Sequence, residues 1–336
     1  MQKQIDIVVP CYNEQDNVVL FYDEVVRVLS ESRGSGSFAS GTVDSGAMFS
    51  FDFTVYFVDD GSTDETMSEI KKLVDFHGDR KVKYLSFSRN FGKEAAIYGG
   101  LKAATGDIVV LMDADLQHPP TMLPEMIKVI EEGYDSCATY RKKRRGESFM
   151  RTFFSKGFYR LFNLISSIKV DASATDFRMM TRKMADAVVS LSETERFTKG
   201  LFKWVGFKTK HLECESIPRI AGKSKWRLSS LFNYAINGIV AFSTAPLRLA
   251  AFIGFLIIIA GVCYTIYMLI GAFFYGRAGG GFVTTITLLL FIGGIIITLL
   301  GIIGEYIARI YMETKRRPIF IIREANTGED KIRDGK

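Results

Sequence analysis

Between Leu249 and Gly304 the sequence carries one charged residue, Arg277. The stretch Gly276-Arg-Ala-Gly-Gly-Gly281 divides this segment into two apolar runs, Leu249–Phe274 and Phe282–Gly304. Each exceeds the ~20 residues that a helix needs to cross a ~30 Å hydrocarbon core. Buried helices of a soluble domain are the competing reading, and two such runs joined only by a glycine turn fit it poorly. The rest of the chain is different in kind. Charged residues make up 24% of all 336 positions, although 48% are hydrophobic and the mean hydropathy is +0.13. A polar domain followed by a membrane hairpin accounts for both figures, whereas disorder, a collagen-like repeat and a small disulfide scaffold do not.

Lys223, Lys225, Arg227 and Arg248 precede the first run, Arg309, Lys315, Arg316 and Arg317 follow the second, and the connecting turn has Arg277 alone. By the positive-inside rule both ends are expected on the cytoplasmic side of the cell membrane. After Gln2-Lys-Gln4 comes Ile5–Val9, a strand-like run too short for the apolar region of a signal peptide. Cys11, Cys137, Cys214 and Cys263 show no metal-ligand spacing and are read as reduced, structural thiols.

Residues 1–215 alternate two periods. Ile5–Val9, Thr54–Val58, Val82–Phe87 and Ile108–Met112 are short β-branched or aromatic runs. Asn17–Leu29, Glu65–Phe76, Gly92–Ala104 and Thr121–Glu132 read as the helices between and after them. This order predicts an α/β domain with a parallel sheet covered on both faces. Residues 32–51, rich in Gly and Ser, are read as a flexible insertion. The expected organisation is a catalytic domain over 1–215, a juxtamembrane amphipathic segment over 216–245, two spans over 246–304 and a cytoplasmic tail over 305–336. Within the tail, Pro318–Ile322 is expected to form a strand that packs on a neighbouring subunit, and homo-oligomerisation is the corollary.

The net charge of +6 is concentrated. Residues 141–160 hold eight Lys/Arg against Glu147, and residues 196–227 hold nine against Glu213 and Glu215. A solvated face or a nucleic-acid surface is the competing explanation. With membrane spans next door, a basic collar against anionic lipid headgroups is favoured and no nucleic-acid partner is expected. Phe154, Phe158, Leu161, Phe162 and Ile165 form one helical stripe opposite Lys156 and Arg160, which suits either a core or an interfacial helix. Leu228–Phe242 is a second interfacial candidate.

Four strand ends carry polar residues of ligand type. Asp113-Ala-Asp115-Leu-Gln117 follows the fourth strand, where open α/β sheets bind ligands. Oxygen donors there suit Mg²⁺ or Mn²⁺ with room left for phosphates. Asp59-Asp60-Gly61-Ser62-Thr63-Asp64 follows the second strand; Asp60 is read as a ligand residue, and Ser62 or Thr63 as the cap of the next helix. Pro10-Cys11-Tyr12-Asn13-Glu14 closes the first strand, with Tyr12 able either to stack on a base or simply to pack. Ser88–Lys93 ends the third and offers the cations Arg89 and Lys93. No GxGxxG is present, and Ala221-Gly222-Lys223-Ser224 fails as a P-loop because position 217 is Ile.

The ordered set VVPCYNE, VDDGSTDET, SFSRNFGKEAA, MDADLQHPP, ATDFRMM and AGKSKW, followed by two spans, resembles the family 2 glycosyltransferases that charge polyprenyl phosphate, the bacterial relatives of dolichol-phosphate mannose and glucose synthases. The resemblance covers nearly the whole chain except 32–51. It implies a GT-A nucleotide-sugar fold with a Rossmann-like mixed sheet, a divalent metal, and inverting transfer of a hexose to undecaprenyl phosphate. Carried over, Pro10, Tyr12, Glu14, Asp60, Lys93 and Asp113 hold the nucleotide-sugar. Asp113, Asp115 and Gln117 hold Mg²⁺ or Mn²⁺ and the diphosphate, and Asp176 lies near the reacting sugar. Arg141, Arg151, Arg219 and Lys225 match cations that meet donor or acceptor phosphate. Overall similarity points to UDP-linked glucose or N-acetylglucosamine, and no single residue decides the sugar. A processive polysaccharide synthase is disfavoured because QxxRW and TED motifs are missing from the sequence. A catalytically silent, membrane-anchored nucleotide-binding protein is disfavoured by the intact acidic strand ends.

Overall fold

The computed structural model describes residues 3–34, 51–141, 174–191, 193–214, 242–275 and 281–327, with a few isolated positions between them. Among the described residues, eight strands form one sheet in the order β7-β5-β6-β4-β1-β2-β3-β8. The first four, β1 (Lys3–Cys11), β2 (Phe51–Asp59), β3 (Val82–Phe87) and β4 (Ile108–Leu111), run parallel. They pair where the sequence alternation places them because they are buried on both faces, and such strands read as near-continuous apolar runs. The sheet then turns mixed. β6 (Ala174–Thr181) lies antiparallel to both β4 and β5 (Ser136–Arg141), while β7 (Thr209–Cys214) is parallel to β5.

Helices cover both faces. One core layer packs α1 (Val18–Gly34), α2 (Thr66–His77) and α4 (Leu123–Glu131) on the sheet through Phe21, Tyr22, Ile70 and Met126. The opposite layer packs α3 (Lys93–Ala103), α5 (Arg182–Ser190) and α6 (Thr198–Trp204) through Ala96, Leu101, Met184 and Phe202. α3 crosses β1 so closely that a Cβ on Gly100 would lie 2.2 Å from Val8 Cγ1. That close approach sets the start of α3 directly over the strand ends.

Three sequence expectations shift. α1 runs on through Ser32–Gly34 and Phe51 already belongs to β2, which trims the expected insertion to 35–50, outside the described residues. The two apolar runs are single helices, α7 (Ala245–Tyr275) and α8 (Phe282–Thr314), of 31 and 33 residues. Glu305–Thr314 therefore continues a helix rather than opening the tail, because nothing in that stretch breaks it before the Lys-Arg-Arg-Pro sequence. Finally, the tail strand is β8 (Ile322–Ala325), and it pairs antiparallel with β3 of its own chain instead of a neighbour. Phe320 decides this: its ring stacks on Phe87 at 4.6 Å and is buried. Asn326 adds a hydrogen bond from Tyr84 N–H at 2.7 Å. The interfacial candidates Phe154–Ile165 and nearly all of Leu228–Phe242 lie outside the described residues.

Candidate active site

The chain order β1-β2-β3 proceeds one way across the sheet, and β4 then lies on the other side of β1. The carboxyl ends of β1 and β4 thus flank a topological switch point, where open α/β sheets leave a crevice. Pro10 suits this place. Val8 turns its carbonyl to Met112 N–H beyond β4, and Pro10, two residues on, faces the same side where β4 has already ended. Its missing N–H costs no ladder bond.

Two turns shape the crevice. After β4, Leu116 adopts φ 53° while its side chain stays buried, an uncommon backbone for a bulky residue. The turn folds Gln117 N–H back onto Asp115 Oδ1 at 3.2 Å. After β2, Gly61 adopts φ 68°, and a Cβ there would lie 2.4 Å from the Arg89 carbonyl carbon. Only glycine lets the Asp60 turn press on the loop that leads into α3. Asp60 fixes the contact by accepting Phe91 N–H at 2.7 Å and Gly92 N–H at 2.9 Å. It is almost fully buried, and burial raises its carboxyl pKa against the opposing pull of those two N–H groups.

The next helix is capped differently from the sequence expectation. Ser62 Oγ accepts Asn13 N–H at 2.9 Å, and Thr63 N–H donates to Asn13 Oδ1 at 2.8 Å. The cap position is Glu65, whose side chain makes no capping bond, and Asp64 just before it accepts Thr66 N–H at 3.1 Å. Asn13, at φ 54°, engages Ser62 and Thr63 instead, so neither caps the helix. Glu14 holds the same corner: its N–H donates to Thr66 Oγ1 at 2.8 Å and its Oε2 accepts from Asn17 at 2.6 Å. Tyr12 is half-buried beside it.

The charges converge at the start of α3. Lys93 Nζ lies 2.7 Å from Asp113 Oδ1 and 2.7 Å from Asp176 Oδ2. Lys199 Nζ, from the first turn of α6, lies 3.8 Å from Asp176 Oδ1. Partial burial works against the charge of Asp176, but Lys93 and Lys199 outweigh it and hold the carboxyl well below the usual range. Burial likewise works against the Lys93 ammonium, and Asp113 and Asp176 reverse that effect and raise its pKa. Asp176 is therefore a carboxylate at neutral pH and Lys93 a cation.

Two more residues frame this cluster. Thr198 donates its N–H to Glu94 Oε2 at 3.0 Å and its hydroxyl to the same oxygen, which ties the first turns of α3 and α6 together. Arg178, two residues after Asp176 on β6, is buried with its guanidinium 4.5 Å from the Phe202 ring centroid and bonded to Ser136 Oγ at 3.1 Å.

The sequence-predicted Lys93, Asp113 and Asp176 thus meet directly, while Pro10, Tyr12, Glu14, Asp60, Asp115 and Gln117 line the adjoining turns. Arg141 ends β5 opposite Cys214, and its side chain lies outside the described residues, as do Arg151, Arg219 and Lys225. Lys199, Glu94 and Arg178 were not singled out from sequence. Arg178 had a signal, since i and i+2 on a strand share a face with Asp176; Lys199 was hidden in a basic run. That run is not wholly a collar: Arg196 is buried, its guanidinium 4.4 Å from the Tyr98 ring centroid and bonded to the Val188 carbonyl at 3.1 Å.

Asp113, Asp115 and Gln117 offer two carboxylates and an amide in one rigid turn. Among the described residues no group of three or more His, Cys, Asp or Glu is placed to hold a metal ion. These are hard oxygen donors of the type that Mg²⁺ or Mn²⁺ takes together with phosphate oxygens, and they lack the thiolate and imidazole groups of a structural zinc site; Asp113 is here paired with Lys93.

Carboxylates and lysines thus gather at the switch point of a mixed α/β sheet of the GT-A class, which is followed by two helices long and apolar enough to cross a membrane. The chain belongs to glycosyltransferase family 2. The family model described as glycosyl transferase family 2 matches residues 6–189, and that of the GtrB C-terminal hairpin matches residues 245–310. Similar proteins include the putative glycosyltransferase CsbB of Bacillus subtilis (strain 168), 41% identical with 97% of this chain and 93% of that protein covered. The prophage bactoprenol glucosyl transferase homolog of Escherichia coli (strain K12) is 36% identical, with 95% and 98% covered. The SfII prophage-derived bactoprenol glucosyl transferase of Shigella flexneri is 35% identical, with 97% and 99% covered.

Proposed function

We propose that this glycosyltransferase moves a hexose, with inversion, from a nucleoside-diphosphate sugar to a polyprenyl phosphate at the cytoplasmic face of the membrane. The observation that carries the reading is the Asp113–Lys93–Asp176–Lys199 cluster at the strand ends, on a chain that continues into two membrane-length helices. The names of the bactoprenol glucosyl transferases among its relatives support the lipid acceptor. UDP-glucose is the first donor to test, and UDP-N-acetylglucosamine the second.

Pro10, Tyr12, Glu14 and Asp60 bound the nucleoside side of the crevice. Asp113, Asp115 and Gln117 would hold Mg²⁺ or Mn²⁺, which supplies charge neutralisation to the departing diphosphate. Lys93 adds a fixed positive charge beside Asp113. A phosphate monoester has a second pKa of about 6 and is already a nucleophilic anion at pH 7. Its oxygen forms the new bond to the anomeric carbon while the bond to the leaving diphosphate breaks and takes the electron pair. No proton must be removed, so Asp176 need not act as a base. Ionised and fixed by two lysines, it stabilises positive charge developing on the sugar ring.

The test is a panel of nucleotide-sugars with membranes, undecaprenyl phosphate and either metal. Formation of an alkali-stable, lipid-extractable sugar phosphate supports the reading. Nucleotide-sugar hydrolysis alone, or polymer formation, overturns it. For the orientation, a cysteine at Gly280 should be labelled from outside and one in the tail only from inside; the reverse pattern excludes a cytoplasmic catalytic domain.

A further inference from the structure

We infer that Lys199 is a cation that receives the phosphate of the lipid acceptor; this assignment rests on the transfer to polyprenyl phosphate proposed above. Lys199 is the point where the catalytic cluster and the membrane hairpin meet. Its ammonium lies 3.8 Å from Asp176, longer than the 2.7 Å of the Lys93–Asp176 pair. Its main chain adjoins Gly200, where a Cβ would lie 2.6 Å from the Phe242 ring, and Phe197 meets the same ring at 6.0 Å between centroids. Phe242 stands three residues before α7. The second helix reaches the same place: Tyr306 donates its hydroxyl to the Ser243 carbonyl at 2.7 Å, and Arg309 pairs with Glu195 at 3.1 Å. Glu313 accepts Thr194 N–H at 2.7 Å. Residues 194–200 therefore form the seam between the active site, the segment that leads into α7, and the last turns of α8.

That placement matters because of the chemistry of the acceptor. A long polyprenyl tail stays in the bilayer, so its phosphate rises no further than the headgroups. It must meet the anomeric carbon near Asp176 while still attached to that tail. A cation for this phosphate needs its head at Asp176 and its backbone at the hairpin, and Lys199 has both. Lys93 does not: it is held between Asp113 and Asp176, on the donor side. Glu94 fixes the seam by binding both the N–H and the hydroxyl of Thr198, which keeps Lys199 in register with Lys93. On arrival of the phosphate the looser Lys199–Asp176 pair opens and Lys199 turns to the stronger anion, while Lys93 continues to neutralise Asp176.

The experiment compares wild type, Lys199→Gln and Lys199→Arg, with undecaprenyl phosphate in vesicles and with a short, water-soluble isoprenyl phosphate, at low and high salt. The donor is the one the wild type uses. Lys199→Gln should raise the acceptor KM by about tenfold or more, the size of one lost charge-assisted hydrogen bond, with both acceptors. The equilibrium affinity for the nucleotide-sugar should stay within about twofold, a change below 0.5 kcal/mol. Lys199→Arg should recover most of the acceptor affinity, which a purely structural role would not give. Unchanged acceptor kinetics in Lys199→Gln overturn the assignment. So does a loss confined to the vesicle acceptor and abolished by salt, which would mean membrane attraction only, and so does an equal loss of donor affinity. Absence of transfer by the wild type to either acceptor would instead overturn the proposed function itself.

Discussion

Thr198 gives both its backbone N–H and its hydroxyl to one oxygen of Glu94, and this pair of hydrogen bonds joins two helices that pack on the same face of the sheet. Burial raises the Glu94 carboxyl pKa, and the two Thr198 donors only partly offset it. The folded protein thus holds that proton more tightly than the unfolded chain, whose Glu titrates near ~4.3. Stability from this group is fullest below that value and declines as pH rises through the folded one. Glu94→Gln keeps the acceptor oxygen and removes the buried charge. It should melt no lower than wild type at pH 8, whereas Glu94→Ala should lose about 1–3 kcal/mol by leaving the Thr198 donors unpaired. Thermal melts in detergent at pH 5 and pH 8 decide this, and a Gln variant as unstable as the Ala variant would contradict it.

Removing Lys93 acts on the opposite kind of shift. Its ammonium is the largest of the cationic influences that keep the Asp176 carboxyl low. The contribution of Asp176 to stability is complete above the unfolded value of about 3.9 and fades as pH falls towards the lower folded value. In Lys93→Met the Asp176 pKa rises, and Asp113 loses the ammonium that both its oxygens share. The acid limb of the kcat profile should move to higher pH and turnover should fall by about a hundredfold, as for loss of one preorganised charge. An unmoved acid limb with normal turnover would remove Lys93 from the machinery.

Asp115→Asn tests the metal assignment separately. The substitution keeps size and the acceptor oxygen that faces Gln117 N–H, so folding should be little changed. Turnover should drop by about a hundredfold or more if Asp115 holds a divalent ion on the diphosphate. Full activity of this variant in EDTA would sink the idea.

Most of the catalytic half was legible because its strands are buried on both faces and its turns are punctuated by Gly, Pro and Asp. Val55 and Val58 sit within a strand that any periodicity reading finds, and Asp113 follows a four-residue apolar strand. Contacts between segments distant in sequence left no local mark. Lys199 reaches Asp176 only because α6 docks on α3 through Glu94, a pairing of residues 104 positions apart. The cap expected at Ser62 or Thr63 is displaced for the same reason: Asn13, from another strand end, binds both residues. The antiparallel return of β6 was likewise invisible to a pattern that reports burial and not direction.

The tail offers the last test, because its partner was expected on another subunit and is found within the chain. β8 covers the edge of β3, which would otherwise present unpaired N–H and C=O groups. Ser88 N–H donates to the Ile321 carbonyl at 2.9 Å, and Arg323 donates to the Ser88 carbonyl at 2.8 Å, so the tail grips the first residue of the loop that carries Lys93. Phe320 anchors it, stacked on Phe87 and wedged where a Cβ on Gly99 would lie 3.2 Å from its ring. Phe320→Ala removes that anchor and leaves a cavity at Phe87, which should cost about 3 kcal/mol. The loss should reach activity as well as stability, since the 88–93 loop is held on one side by Asp60 and on the other by β8. Phe320→Leu refills most of the cavity and should restore both. A melting temperature unchanged in Phe320→Ala would mean that the strand docks without its anchor. A lowered melting temperature with unchanged kcat and KM at a permissive temperature would mean that Asp60 alone positions the loop.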